Sequence, residues 1–227
     1  MIRLDRLLSN RGYCTRREVR GVLERIRVNG KAPARVDDKV DPATVTWDDE
    51  GLDPERLYVL MHKPLGCTCS HKEAGQLVYE LLPERFQQRN PQLSSVGRLD
   101  KDTTGALLFT DDGDTLHRLT SPRHKVAKLY EVWLSEPLTE NDERILCSGE
   151  IVLDEQTVRP AGLERLAPDH VLLTLVEGRY HQVKRMFGAI GNEVMRLHRR
   201  EFAGLGVTDL APGSWRHLSP EEVSLLS

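Results

Sequence analysis

The stretch Gly97-Arg98-Leu99-Asp100-Lys101-Asp102-Thr103-Thr104-Gly105, followed by Ala106-Leu107-Leu108-Phe109, decides how this chain is read. Four apolar residues in a row suit a buried strand, so the preceding acid falls on a loop at the mouth of a sheet. A carboxylate held there beside a guanidinium can act as a nucleophile in covalent catalysis. The same residues fit a surface turn whose Asp caps its own backbone. Spacing alone leaves both readings open.

Other patterned segments flank this one. Upstream lies Tyr58-Val-Leu-Met-His-Lys63-Pro64-Leu-Gly66, and downstream come Thr110-Asp-Asp-Gly113, Ser121-Pro122-Arg123-His124 and Lys128-Leu-Tyr130. Near the end stand Glu177-Gly-Arg-Tyr-His-Gln-Val-Lys-Arg-Met-Phe187 and Leu210-Ala-Pro-Gly213-Ser-Trp-Arg-His-Leu218. In this order they resemble the RsuA-like branch of the pseudouridine synthases, whose catalytic loop reads Gly-Arg-Leu-Asp-x-x-Thr-Thr-Gly. The resemblance covers nearly the whole chain. One departure is His62, where the family usually has Asn before Lys-Pro; it bears on the local turn rather than on the chemistry.

The chain has 227 residues, 39% hydrophobic and 30% charged, an ordinary soluble mixture. No apolar run approaches the ~20 residues of a membrane span, and the N-terminus has no apolar signal core, so a cytoplasmic location is expected. Four cysteines are present, and only Cys67 and Cys69 are close; without a second ligand pair they read as free thiols, not as a zinc site. No phosphate-loop or dinucleotide fingerprint is present. No metal and no cofactor are expected.

The net charge of −3 hides an asymmetry. Residues 1–40 hold 11 Lys and Arg against 5 Asp and Glu, a net of +6, and the remainder carries −9. A basic segment of this kind points to nucleic-acid contact. Within it, Leu4, Leu7 and Leu8 have the spacing of a short amphipathic helix stopped at Gly12. Thr15 and Glu18 have capping-box spacing, and Val19, Val22, Leu23 and Ile26 follow at one-face helical spacing, with Arg16, Arg17, Arg20 and Arg27 mostly opposite. Asn29-Gly30 marks a tight hairpin. A generic helical hairpin with solvated arginines fits these features, and they also resemble an S4 RNA-binding domain, whose Arg-Leu-Asp and Val-Asn-Gly-Lys motifs occur at 3–5 and 28–31.

The acidic, Gly- and Pro-containing residues 47–56 read as a linker. Beyond them, strand-like runs at 56–61, 129–134 and 170–176 dominate, and Val183, Met186, Phe187 and Ile190 have helical spacing ended by Gly191. This mixture predicts an α+β class. The resemblance implies the rest: an S4-like module over 1–46, a linker over 47–56, and a catalytic domain over 57–227 with a mixed, mostly antiparallel sheet and a central cleft.

The resemblance also assigns roles. Asp100 takes the nucleophile position, and attack on the sugar, addition to the base and a glycal route are all open to it. Lys184 becomes the cation that lowers the carboxylate's pKa and fixes its rotamer; taken alone it would be an exposed helical lysine. Tyr130 would stack on uracil and move a proton late in the reaction; taken alone it is a core aromatic. Asp102 is the rival acid and reads as a turn stabiliser. Arg98 and Arg179 would hold phosphates or fill the gap left by a displaced base, and Arg16, Arg17 and Arg20 would contact RNA. His181 reads as a helix-end residue, not a general base. The expected partner is rRNA, in a small-subunit assembly intermediate and with a specific uridine of 16S rRNA as target, acted on by a monomer. A 23S rRNA enzyme shares the motifs. A non-catalytic S4-type RNA-binding protein is the second class, and a glycoside hydrolase using two carboxylates is a third.

Overall fold

Apolar residues at every second position build the main sheet. In Lys128–Leu134, Tyr130, Val132 and Leu134 are buried while Leu129, Glu131 and Trp133 are only half-buried. The computed structural model describes residues 1–33, 35–70 and 75–226. Its sheet strands are β1 (Tyr58–Lys63), β2 (Thr103–Thr110), β3 (Lys128–Leu134), β4 (Gly162–Ala167), β5 (His170–Leu175), β6 (Val194–Phe202) and β7 (Trp215–His217). They lie in the order β4-β5-β3-β6-β2-β1-β7, and the short strands Ser94–Ser95 and Leu205–Gly206 bring the sheet to nine. Only β6 and β2 pair in parallel along this path. The sheet is therefore mixed and mostly antiparallel, and the fold class is α+β.

β2 explains its own apolar run. Leu107 and Phe109 pack into one hydrophobic cluster, and Ala106 and Leu108 into another on the opposite face. A strand covered on both sides has no polar face to alternate with.

Helix α1 spans Leu4–Asn10, α2 Gly113–Thr120, α3 Glu140–Ser148 and α4 Gln182–Ala189. Leu4, Leu7 and Leu8 of α1 are buried in a cluster of their own with Val19, Ile26, Val40 and Val45. The helix expected after Thr15 is replaced by 3-10 turns over Glu18–Arg25, kinked at Val22 with φ −128°. An i, i+3 spacing suits a 3-10 turn as well as an α-helix, and Gly21 and the β-branched valines disfavour the latter. Ile26 opens a strand, Ile26–Val28, instead of closing a helix. Only the Glu18 half of the capping box forms, from Thr15 N to Glu18 Oε2 at 2.8 Å. Asn29 and Gly30 take positive φ, 51° and 73°, in the expected hairpin turn.

The stretch 47–56 is partly structured. Trp47 ends the strand Val45–Trp47, and Asp48 and Asp49, both left-handed, turn it into Glu50–Gly51. Asp tolerates that conformation by bonding locally, so an acidic pair makes a hairpin as well as a linker. Asp53 is buried and accepts from Arg85 Nε at 2.7 Å and Tyr13 OH at 3.1 Å. Gly12 stands against the same segment: a Cβ on it would lie 1.9 Å from the Arg85 carbonyl oxygen. The N-terminal cluster is thereby seated against residues 85–90, where Asn90 N also donates to Asn10 O at 2.9 Å.

Candidate active site

The loop that carries Asp100 is pinned from several directions. Thr103 N donates to Asp100 O at 3.1 Å and closes a turn, while Gly66 N donates to Lys101 O at 2.8 Å. The fully buried Lys63 donates through Nζ to Thr103 O at 2.9 Å and to Pro64 O at 3.1 Å. Burial pulls the Lys63 ammonium below its ordinary range, and nearby thiols and acids, Asp100 among them, counter this. The Lys63-Pro64 motif is thus a clamp on the base of the Asp100 loop. Gly105 ends the motif for a steric reason: its φ is +115°, and a Cβ would sit 2.1 Å from Arg199 O on the paired strand β6.

The Glu177–Phe187 motif divides into residues that hold and residues that reach. Gln182 Nε2 donates to Glu177 Oε1 at 2.7 Å, and Arg179 N donates to Gln182 Oε1 at 2.9 Å. Arg179 also gives its guanidinium to Glu177 at 3.3 Å, Leu153 O at 3.2 Å and Gln156 at 2.5 Å. His181 is left-handed, φ 50°, and starts α4, whose Val183, Met186 and Phe187 are buried. The two side chains left to reach are His181 and Lys184. His181 Nε2 lies 3.4 Å from Asp100 Oδ1, and Lys184 Nζ lies 3.7 Å from Asp100 Oδ2.

Lys184 is closer to the rival acid. Its Nζ donates to Asp102 Oδ1 at 2.5 Å. That hydrogen bond, aided by the charges of Lys184 and His181, lowers the Asp102 carboxyl below its usual range despite partial burial. Asp102 remains largely exposed, at 66%, whereas the Asp100 side chain is 30% exposed.

Asp100 faces a cavity of about 410 Å³ that also presents Tyr130, Lys184, Lys128, Leu197 and Arg199. Tyr130 is nearly buried and forms part of the main core as well as the cavity wall. Arg98 lines the rim and is exposed. Arg179 lines the cavity too, but its bonds to Glu177, Leu153 and Gln156 hold it as a loop brace. Arg16, Arg17 and Arg20 lie outside the cavity lining. Arg16 pairs with Asp5 at 3.1 Å and borders a separate groove with Arg3 and Arg6, while Arg17 and Arg20 are exposed.

Sequence reasoning underrated four residues. His181 contacts Asp100 directly. Tyr180, 76% exposed, stacks on the His181 ring with centroids 3.8 Å apart. Lys128 precedes Tyr130 by two positions, so strand periodicity puts it on the same face. Arg199 is one of three arginines in β6, and only the fold shows that it, between the buried Leu197 and Phe202, is the buried one. His62 faces away: its Nδ1 is 2.7 Å from Leu210 O and its ring packs against His198, on the sheet face opposite Met61. The His62 ring meets the Gly97–Gly105 motif only at its far end, through His198, which bonds Thr104 Oγ1 at 2.8 Å.

Among the described residues, no group of three His, Cys, Asp or Glu side chains converges to hold a metal, and no helix is long and apolar enough to cross a membrane. The cysteines, Cys67 and Cys69 included, are free.

Comparison with known proteins bears on this geometry. The family model for RNA pseudouridylate synthase matches residues 57–189. The ribosomal small subunit pseudouridine synthase A of Vibrio cholerae is 39% identical, with 98% of both chains covered. The protein of the same name from Escherichia coli K12 is 38% identical, over 98% of this chain and 99% of its own. A solved structure described as a pseudouridylate synthase superposes over the full length of both chains, with a TM-score of 0.71 and 33% identity.

Proposed function

We propose a target and a set of roles on one premise: this chain belongs to the RNA pseudouridylate synthase family, and it is an RNA pseudouridine synthase of the RsuA type. The target is a specific uridine of 16S rRNA, presented in a small-subunit assembly intermediate in the cytoplasm and modified by a monomer. What supports this choice is the near full-length similarity to relatives named for the ribosomal small subunit.

The observation that carries the site is the Asp100 carboxylate, between His181 at 3.4 Å and Lys184 at 3.7 Å, on a cavity walled by Tyr130. The reaction exchanges the C1′–N1 bond of uridine for a C1′–C5 bond. Attack on the sugar carbon, addition to the base and removal of the C2′ proton all use one carboxylate at this point, and all three release uracil from C1′ before C5 replaces N1. Asp100 is that carboxylate. Lys184 and His181 hold its rotamer. Tyr130 stacks on the ring and relays the proton that leaves C5 while N1 gains one. The exchange is redox-neutral, so the residues suffice without a cofactor.

A uridine in folded RNA must leave its stack, which costs a few kcal/mol. Arg98 at the rim and the exposed Tyr180 ring are placed to offset that cost by filling or stacking. Residues 1–46 serve as an S4-like module that anchors rRNA through phosphate contacts, with Arg17 and Arg20 as its exposed donors and Arg16 between Asp5 and solvent. Mapping pseudouridines in rRNA from cells with and without this protein tests the target. One modified position in 16S rRNA should vanish, and loss of a 23S position instead would refute the assignment.

A further inference from the structure

We infer that Lys128 and Arg199 form a cationic wall of the cavity that holds the detached uracil ring as its anion, between cleavage of C1′–N1 and formation of C1′–C5. This rests on the proposed reaction at Asp100 and names a binding function that Asp100, Lys184 and Tyr130 do not supply.

Both cations line the cavity, and neither has a carboxylate partner at ion-pair distance among the described residues. Arg199 is 2% exposed. Among the described residues its one side-chain hydrogen bond runs from Nε to Ala106 O at 2.8 Å, and its buried Nη2 has no partner. An unmatched guanidinium donor in an interior costs stability unless a ligand completes it. Lys128 Nζ donates to Val126 O at 2.8 Å, which leaves two of its three donors for the cavity. The two head groups sit over one ring: the Arg199 guanidinium is 5.0 Å and the Lys128 ammonium 5.7 Å from the Phe202 centroid. Phe202 gives them a polarisable floor without a counter-charge.

The surrounding charges leave the wall positive. Burial, and next the charge of Arg199, push the Lys128 ammonium down to about 8, with Glu177 acting weakly the other way. Glu177 itself is engaged by Gln182 and Arg179. Two cations kept together with so little compensation suit a ligand that brings negative charge.

The chemistry supplies that charge inside the cavity. When C1′–N1 breaks, its electron pair goes to the base, and the negative charge spreads over N1, O2 and O4. At that stage Asp100 is bonded to the sugar or base, or carries the C2′ proton, and is neutral, so it gives the ring no counter-charge, and a separate positive wall keeps the ring in place while it turns. When C5 bonds to C1′, the bond to Asp100 breaks, or in the glycal route Asp100 returns its proton to C2′, and the negative charge goes back to the Asp100 carboxylate; C5 then loses its proton while N1 takes one up. A preorganised donor aimed at charge that develops during reaction is worth about 100-fold or more in rate. A backbone phosphate has the same donor preference, and the test separates the two ligands.

The experiment uses the full-length protein, with single-turnover rates at saturating RNA and affinities for two RNAs, one carrying the target uridine and one abasic at that position. Lys128→Met should lower the single-turnover rate by about 100-fold and leave affinity for the abasic RNA unchanged. Lys128→Arg should restore most of the rate. Wild type should lose rate as pH rises through about 8, and Lys128→Arg should lack that decline, which a merely structural role would not produce. Full activity of Lys128→Met would overturn the inference, and so would equal weakening of abasic and uridine RNA, which identifies a phosphate contact. Asp100→Asn runs alongside: if it stays active, the reading of the site itself has failed, whereas an inactive Asp100→Asn beside a fully active Lys128→Met sinks only the uracil-anion wall.

Discussion

Lys184 donates to Asp102 at 2.5 Å and stands 3.7 Å from Asp100. One ammonium therefore bridges both acids of the Gly97–Gly105 loop and is closer to the more exposed one. The shorter contact marks Asp102 as the residue that parks the lysine, and the acid facing the cavity is Asp100.

Asp100→Asn should abolish isomerisation and leave folding and RNA affinity nearly intact, because Asn matches the shape of Asp but lacks a nucleophilic carboxylate. Asp102→Asn should keep most activity. Tritium release from RNA labelled at C5 of uridine measures both. An inactive Asp102→Asn beside an active Asp100→Asn would reverse the assignment.

Lys184→Met should cut the single-turnover rate by at least about tenfold, equivalent to about 1.4 kcal/mol of transition-state stabilisation. It should also raise the pH at which Asp102 ionises. The hydrogen bond that favours the charged carboxylate is then gone, so more of it is protonated at any given acidic pH. Carboxyl titration by NMR in wild type and variant reads this shift directly.

Gly105→Ala should destabilise the protein by about 3 kcal/mol or more, through overpacking against Arg199 O and a left-handed backbone. For a chain of this size that is a fall in melting temperature of roughly 6–12 °C. Calorimetry of the variant checks it, and an unchanged melting temperature would mean that β2 and β6 can separate freely.

Acidification should loosen the N-terminal cluster first. Burial works to raise the Asp53 carboxyl, but the hydrogen bonds and charge of Arg85 and Tyr13 outweigh it and hold it below its ordinary value. A carboxylate lowered in the folded state stabilises fully above its unfolded pKa of about 3.9, and the benefit is lost as pH falls through the folded value. Hydrogen exchange of residues 1–52 should accelerate across that window. Asp53→Asn should show the faster exchange already at neutral pH.

Arg17→Ala combined with Arg20→Ala should weaken rRNA binding and flatten its salt dependence, by about 0.7–0.9 in log–log slope for each phosphate that is no longer neutralised. The single-turnover rate at saturating RNA should be unchanged. If the slope does not move, RNA is anchored elsewhere.

Local spacing was enough to set the large strands and to put Asp100 on a loop at the mouth of the sheet, while its role as nucleophile came only from the resemblance. Period-two alternation and the uninterrupted Ala106–Phe109 run define the strands, because which side chains can be buried together along one strand is a local property. Motif order points to the family, whereas the close backbone approach that requires glycine at 105 appears only once β6 lies beside β2. The second N-terminal helix gives way to 3-10 turns because Val19 and Val22 at i, i+3 satisfy either geometry, and the shared core with Ile26 and Val45 chooses between them. Which charges meet belongs to the folded chain. Lys184 lies 82 residues from Asp102 in sequence. Arg179 turns inward to brace its loop, and His181 reaches Asp100 because a left-handed residue starts α4. Lys128 and Arg199 become neighbours over Phe202 because β3 and β6 pair, and strand pairing between distant segments is not written in the spacing of either one.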